Sequence, residues 1–287
     1  MPDETVVTRF APSPTGHLHL GHAYAALFAE ATARETGGRF LLRIEDIDTS
    51  RARPDFEHAI FDDLAWLGLE WEEPIRRQSE HMADYERALD RLRTMDVVYP
   101  CFCTRAEIRA EIAGSPTAPH GLDGPLYPET CRSLSEDERG ARQADGQAFA
   151  LRLDASRALH MIKQHDGSLL TWSDVDAGEH AVNTAMFGDV VIARKETPTS
   201  YHLAVTIDDA LQGVTLVTRG LDLMPATHIH RLLQSLLDLP VPRYHHHRLI
   251  TDDAGQRLAT RDKATSLSAL RDQGITAKDV RCMVGML

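Results

Sequence analysis

Apolar and polar positions along this chain switch repeatedly between two periods. Apolar or β-branched runs at 6–10, 39–44, 148–153, 189–193 and 214–218 predict strands. Between them, apolar residues recurring every three or four positions predict helices. One is expected from about Gly21 to Thr36, with Tyr24, Leu27, Phe28 and Ala31 in helical register and Gly37-Gly38 as its stop. A second has Pro54 in its first turn and carries Phe56, Ile60, Phe61, Leu64 and Leu67 up to Gly68. A third, from near Ser79, puts Met82, Tyr85, Leu89 and Leu92 on one face, and a fourth, near Pro225, carries Ile229, Leu232, Leu233, Leu236 and Leu237. Strands separated by helices predict an α/β fold with a doubly wound parallel sheet, whose ligand sites lie at the carboxyl ends of the strands. Between about Val97 and Asn183 the rhythm changes. Gly and Pro cluster at 114–128, and Thr104-x-x-Glu107 and Ser135-x-x-Glu138 read as capping boxes, which predicts an insertion.

Composition narrows the class. With 287 residues, 43% of them hydrophobic, the chain can bury a large core in one to three domains. No apolar run approaches the ~18–20 residues of a membrane span, and the amino terminus, with Asp3 and Glu4, lacks the apolar stretch of a signal peptide. A soluble, cytoplasmic protein is expected. The net charge of −12 is unevenly spread: from Arg219 to Leu287 there are 10 Lys and Arg against 7 Asp and Glu, and before that 21 against 36. Five of the 15 histidines also fall in this last quarter, His245, His246 and His247 consecutively. If RNA is bound, part of the basic footprint belongs there, the alternative being a solvated charge bias.

Four cysteines in a chain of this size do not suggest a disulfide framework. Cys101-Phe102-Cys103, followed by Cys131 after a Gly/Pro-rich excursion, can supply three of zinc's four tetrahedral positions. On chemistry alone His120 is the better fourth ligand, since imidazole is the commoner one; three reduced cysteines in a small core are the alternative. Zinc there would keep folded an insertion too small to hold itself together. Cys282, isolated near the end, is expected to be a buried thiol.

Residues 9–22, Arg-Phe-Ala-Pro-Ser-Pro-Thr-Gly-His-Leu-His-Leu-Gly-His, read as strand, rigid loop and helix start. A helix amino terminus leaves N–H groups unpaired and carries partial positive charge, so a polyphosphate is expected there, with His19 and His22 as further donors and Gly21 allowing close approach. This string resembles the first signature of class I aminoacyl-tRNA synthetases, here His19-Leu20-Gly21-His22, in the extended form of the enzymes that activate glutamate. Further segments match in order: residues 43–51 (RIEDIDTSR), 188–194 (GDVVIAR), 201–205 (YHLAV), 208–215 (DDALQGVT) and 218–223 (TRGLDL).

The resemblance implies a Rossmann-like catalytic domain in two halves, 1–96 and 184–244, a zinc-binding acceptor-type subdomain inserted at 97–183, and a second-signature loop with a short helical segment at 245–287. It assigns Tyr127 as the fourth zinc ligand. It implies a glutamate pocket of Arg9, Phe10, Ala11, Pro12, Ser13, Glu45, Tyr201 and Arg219. The charges suit that role: guanidinium groups grip carboxylates bidentately, Glu45 fits the ammonium, and the Tyr201 phenol closes the pocket. ATP, brought as its Mg²⁺ complex, is expected on His19, Gly21, His22, Arg257 and Thr260. The second signature is where the match weakens. Relatives carry Lys-Met-Ser-Lys-Ser or a variant, and here Arg257-Leu258-Ala259-Thr260-Arg261 keeps charge at the first lysine position but has Thr260 at the second. Losing one preorganised donor to a developing oxyanion costs ~10²–10³ in rate, unless Arg261 or Lys263 reaches the same phosphates. Thr260→Lys is then expected to speed adenylate formation; an unchanged pyrophosphate-exchange rate would refute that.

After Lys263 only 24 residues remain, fewer than the ~50 of an independent domain, so no anticodon-binding module is expected. The resemblance therefore implies the short branch of the family, a monomer that esterifies glutamate to the queuosine base at the wobble position of tRNA(Asp). The alternatives are a short synthetase charging a tRNA 3′ end and a catalytically impaired RNA- or adenylate-binding paralogue.

Overall fold

Alternation of apolar side chains builds the centre of the molecule. The computed structural model describes residues 5–114, 120–121, 124–167, 169–251 and 265–286. Its first half runs β1 (Val7–Phe10), α1 (Leu20–Glu35), β2 (Arg39–Ile44), α2 (Pro54–Trp66), β3 (Glu72–Arg77) and α3 (Met82–Thr94). Then come β4 (Val98–Cys101), α4 (Arg105–Gly114), β5 (His120–Gly121), β6 (Gly124–Pro125), α5 (Glu136–Ala144), β7 (Ala150–Leu153), α6 (Ala155–Asp166), β8 (Thr171–Asp174) and β9 (Gly178–Ala181). The remainder is β10 (Val191–Ala193), α7 (Tyr201–Leu211), β11 (Leu216–Gly220), α8 (Ala226–Leu236), β12 (Arg243–His247), α9 (Leu267–Asp272) and α10 (Ala277–Val284).

Strands β3, β2 and β1 pair in parallel, as do β11, β12 and β8, with β9 antiparallel at the far edge. The two groups meet along β1 and β11, where the Thr215 N–H donates to Val7 O at 3.1 Å and the Val7 N–H to Thr215 Oγ1 at 2.9 Å. The result is the expected parallel, doubly wound sheet. Phe10, Phe40, Leu42 and Ile44 face α1 and α2, where Val280 and Val284 of α10 join them. Val7, Leu41, Val217 and Tyr244 face α3, α7 and α8 on the other side. Strand order reverses between β1 and β11, so a crevice opens at their carboxyl ends.

Strands β4 and β7 of the insertion form a small antiparallel sheet with β10, which lies beyond the expected insertion boundary at 183. Both predicted capping boxes form, at Thr104/Glu107 and Ser135/Glu138. Residues 171–181, which the sequence places inside the insertion, extend the main sheet through β8, and Trp172 is buried in the core beneath α8. Cys282 is exposed, against expectation: it lies on α10 outside the Val280 and Val284 positions that pack on the core. No helix among the described residues is long and apolar enough to cross a membrane.

Candidate active site

The crevice at the ends of β1 and β11 is a cavity of about 480 Å³. It gathers residues far apart in sequence, including Arg9, Phe10, Ala11, His19, Gly21, His22, Glu45, Tyr201 and Arg219. Pro12 and Ser13 are not among its lining residues; Ser13 is exposed, while Pro12 O accepts the Glu45 N–H at 3.0 Å and so fixes the start of the loop that carries that acid.

Arg9 and Arg43 occupy inward positions of β1 and β2 that an apolar pattern would give to aliphatic side chains. Both are buried, and Asp209 lies between them: its Oδ1 accepts Arg9 Nε at 3.0 Å and Arg43 Nη1 at 2.8 Å. Arg9 Nη1 also donates to Thr218 O at 3.0 Å, which locks the guanidinium across the β1–β11 seam. Behind it Asp208 accepts Arg76 Nε at 2.7 Å, Gln78 Nε2 at 2.8 Å and the Tyr85 hydroxyl at 3.0 Å. Burial opposes ionisation of Asp209, yet Arg9 and Arg43 outweigh it and hold the carboxyl below the usual range. Glu45 goes the other way. Its Oε1 lies 3.3 Å from Arg43 Nη2, but burial dominates and pushes its pKa up to about 7. An ammonium group arriving beside it would restore the anion.

Arg219, at the end of β11, is also buried, but no carboxylate lies within ion-pair distance of it among the described residues. It lies over the Tyr244 ring, 5.3 Å from the centroid, and its other partners are imidazole and hydroxyl groups. Tyr201, the first residue of α7, lines both this cavity and a second one of about 760 Å³ that runs toward the insertion. Gly220 follows Arg219; a Cβ there would collide with Asp222 Oδ1 and Leu249 Cδ2 across the cavity rim.

The helix start differs in detail from the sequence expectation. His19 caps α1: its Nδ1 accepts the Gly21 N–H at 3.1 Å, and His22 Nδ1 accepts the His19 N–H at 3.2 Å. The His22 N–H donates to His19 O at 2.9 Å, so these backbone donors are engaged within the turn. The same bonds use Nδ1 of each ring as an acceptor, which places the proton of the neutral imidazole on Nε2. Correction is also needed for the histidines of the last quarter. His228, His230, His246 and His247 are buried, and burial holds each below its ordinary pKa, so they add no positive charge to an RNA footprint.

The Cys101, Cys103 and Cys131 sulfurs lie within 4.8 Å of one another. The Tyr127 hydroxyl stands 3.4 Å from Cys101 Sγ and 3.7 Å from Cys103 Sγ, with Arg152 stacked 3.7 Å over its ring. Sulfurs bound to one zinc at ~2.3 Å sit just under 4 Å apart, so the donor set fits a tetrahedral ion with the phenol as the oxygen ligand. The side chain of His120, the other candidate, lies outside those described. So do Arg257, Thr260, Arg261 and Lys263.

Residues 5–284 match the family described as tRNA synthetases class I (E and Q), catalytic domain. A protein of Rhodobacter capsulatus named Glutamyl-Q tRNA(Asp) synthetase is 49% identical over 98% of this chain and 100% of its own length. One of the same name from Nitratidesulfovibrio vulgaris is 40% identical over 97% of this chain and 85% of its own. Among solved structures, the glutamate-tRNA synthetase of Elizabethkingia anophelis superposes with a TM-score of 0.73 at 31% identity, over 91% of this chain. The chain spans 53%, about half, of that enzyme's length.

Proposed function

The chain belongs to the class I tRNA synthetases (E and Q), and from that membership we propose that it activates glutamate with ATP and esterifies it to queuosine at the wobble position of tRNA(Asp). One observation carries the glutamate reading: a single cavity joins two carboxylate-gripping arginines, Arg9 and Arg219, an acid, Glu45, and the imidazoles of His19 and His22. In that arrangement Glu45 takes the ammonium, the arginines take the carboxylates, and Tyr201 bounds the pocket on the side of the second cavity. ATP enters as its Mg²⁺ complex on the His19, Gly21 and His22 side. An α-carboxylate oxygen attacks the α-phosphorus, the bond to the bridging oxygen breaks, and pyrophosphate leaves. A hydroxyl of the acceptor then attacks the acyl carbon of the adenylate, gives up its proton, and releases AMP.

No enzyme nucleophile is needed; catalysis rests on placement and on charge stabilisation by preorganised donors. Cys101, Cys103, Cys131 and Tyr127 would hold one zinc ion, which when bound supplies cross-linking of the insertion. The names of the full-length relatives support the queuosine acceptor, which in turn implies a cytoplasmic enzyme.

The test has two stages. Glutamate-dependent ATP–pyrophosphate exchange is expected from zinc-replete protein, and its absence would point to an impaired binding paralogue. Digestion of tRNA charged with labelled glutamate should then yield the label on the wobble nucleoside; label on the terminal adenosine would assign a short synthetase instead.

A further inference from the structure

Arg219 contrasts with its neighbours. Arg9 and Arg43 share an enzyme carboxylate, whereas among the described residues the side-chain hydrogen bonds of Arg219 end on imidazole and hydroxyl groups. Its Nε donates to His246 Nε2 at 3.1 Å, Nη1 to His230 Nδ1 at 3.1 Å, and Nη2 to Thr227 Oγ1. Accepting from a guanidinium requires a bare ring nitrogen, which dictates the tautomer of both rings. His246 must then carry its proton on Nδ1, and that atom lies 2.7 Å from Asp174 Oδ2, an acceptor further anchored by the His246 N–H at 3.1 Å. His230 must carry its proton on Nε2, 3.3 Å from His202 Nδ1. Both relays are consistent end to end. Burial, and then the charge of Arg219 itself, drives His202 and His246 down to about 4 and His230 well below its ordinary value. Asp174 is separated from Arg219 by a whole imidazole, so it orients the ring without neutralising the guanidinium.

We propose that the Asp174–His246 and His202–His230 pairs are positioning residues that hold Arg219 on neutral acceptors, so that the side-chain carboxylate of the bound amino acid serves as its counter-ion and glutamate is selected over glutamine. The inference rests on the glutamate reading of the cleft. A neutral amide in place of that carboxylate leaves a buried cation uncompensated, the kind of penalty from which strong discrimination comes.

Pyrophosphate exchange with glutamate and with glutamine, on full-length zinc-replete protein, tests it. His246→Leu should raise KM for glutamate about 10- to 100-fold with kcat within about 3-fold of the unmodified enzyme. His246→Gln, whose amide oxygen can accept the Nε–H, should recover most of the loss. His230→Asp gives Arg219 an acid of its own and should collapse the preference for glutamate over glutamine. A folded His246→Leu enzyme with unchanged KM, or a His230→Asp enzyme with its preference intact, overturns the positioning role. If His246→Leu does not fold, His246→Gln and His230→Asp decide. No glutamate-dependent exchange in the unmodified protein instead overturns the glutamate reading on which the inference stands.

Discussion

Glu45 is the side chain whose ionisation the pocket controls most directly, since burial lifts it to about 7 while Arg43 and Arg9 pull against that rise. Between its unfolded value of ~4.3 and 7 the folded state binds the extra proton, so this group's contribution to stability is greatest at low pH and is lost as pH rises toward 7. Substrate acts in the opposite sense: the glutamate ammonium needs the anion, so binding expels the proton. The kcat/KM for glutamate should therefore rise about tenfold per pH unit up to about 7 and then level, because it reports the free enzyme. Glu45→Gln should flatten this limb at a lower plateau; an unchanged limb would exclude Glu45 as its source. Asp209 presents the complementary case. Asp209→Asn leaves Arg9 and Arg43 buried against each other and should lower stability by about 3–5 kcal/mol, read from denaturant midpoints, whether or not substrate is present. That Arg9, Glu45 and Arg219 line one cavity was legible in the sequence because the resemblance marks all three for one pocket. Arg43 and Asp209 had no assigned role, since what defines them is mutual contact across 166 residues of chain.

At the scale of elements, α1 shows how one residue can both cap a helix and line the cavity. His19 caps the helix through Nδ1 and faces the cavity with the rest of its ring. His19→Ala should lose the cap at a cost of about 0.5–2 kcal/mol along with the anion donor. His19→Asn restores a good cap without the imidazole, so its unfolding midpoint should return close to the original while pyrophosphate exchange stays ~10²–10³ lower. Recovery of exchange together with stability would reduce His19 to a structural role. The elements that escaped sequence reading did so for identifiable reasons. In α7 every residue from Leu203 to Asp209 is buried, so there is no polar face to reveal a 3.6-residue period. β3 is an edge strand of charged residues around Pro74, and β12 buries Tyr244, His246 and His247 as hydrogen-bonded or stacked groups, so neither shows apolar alternation. By contrast α1, α2 and α3, each with one wet face, lie within a few residues of their expected bounds.

In the whole molecule, the glutamate cavity and the cysteine cluster are built by different sheets yet joined by the second cavity. The first is framed by β1, β2, β11 and α7; the second hangs on β4 and β7, with Lys195 Nζ bonded to Phe102 O at 3.3 Å and Arg152 Nη1 to Asp189 O at 2.6 Å. Among the described residues Tyr99, Cys101, Phe102, Tyr127 and Cys131 form a small buried cluster around the sulfurs, separate from Leu151, Leu153, Ala158 and Ile162, which join the main core, so the cysteine loops themselves have few apolar groups to order them. Removing zinc should therefore loosen the insertion and the wall of the second cavity before it reaches Arg9, Glu45 or Arg219. If the cluster holds one zinc as proposed, stripping it with a chelator, or Cys131→Ser, should lower the unfolding temperature and remove one equivalent of zinc from the protein. Glutamate-dependent pyrophosphate exchange should persist within about threefold, while transfer of glutamate to tRNA falls at least about tenfold, if the acceptor enters through the second cavity, which Tyr201 shares with the insertion. Equal loss of both steps would mean that the two sheets fold as one unit and that the cluster supports the glutamate cavity itself.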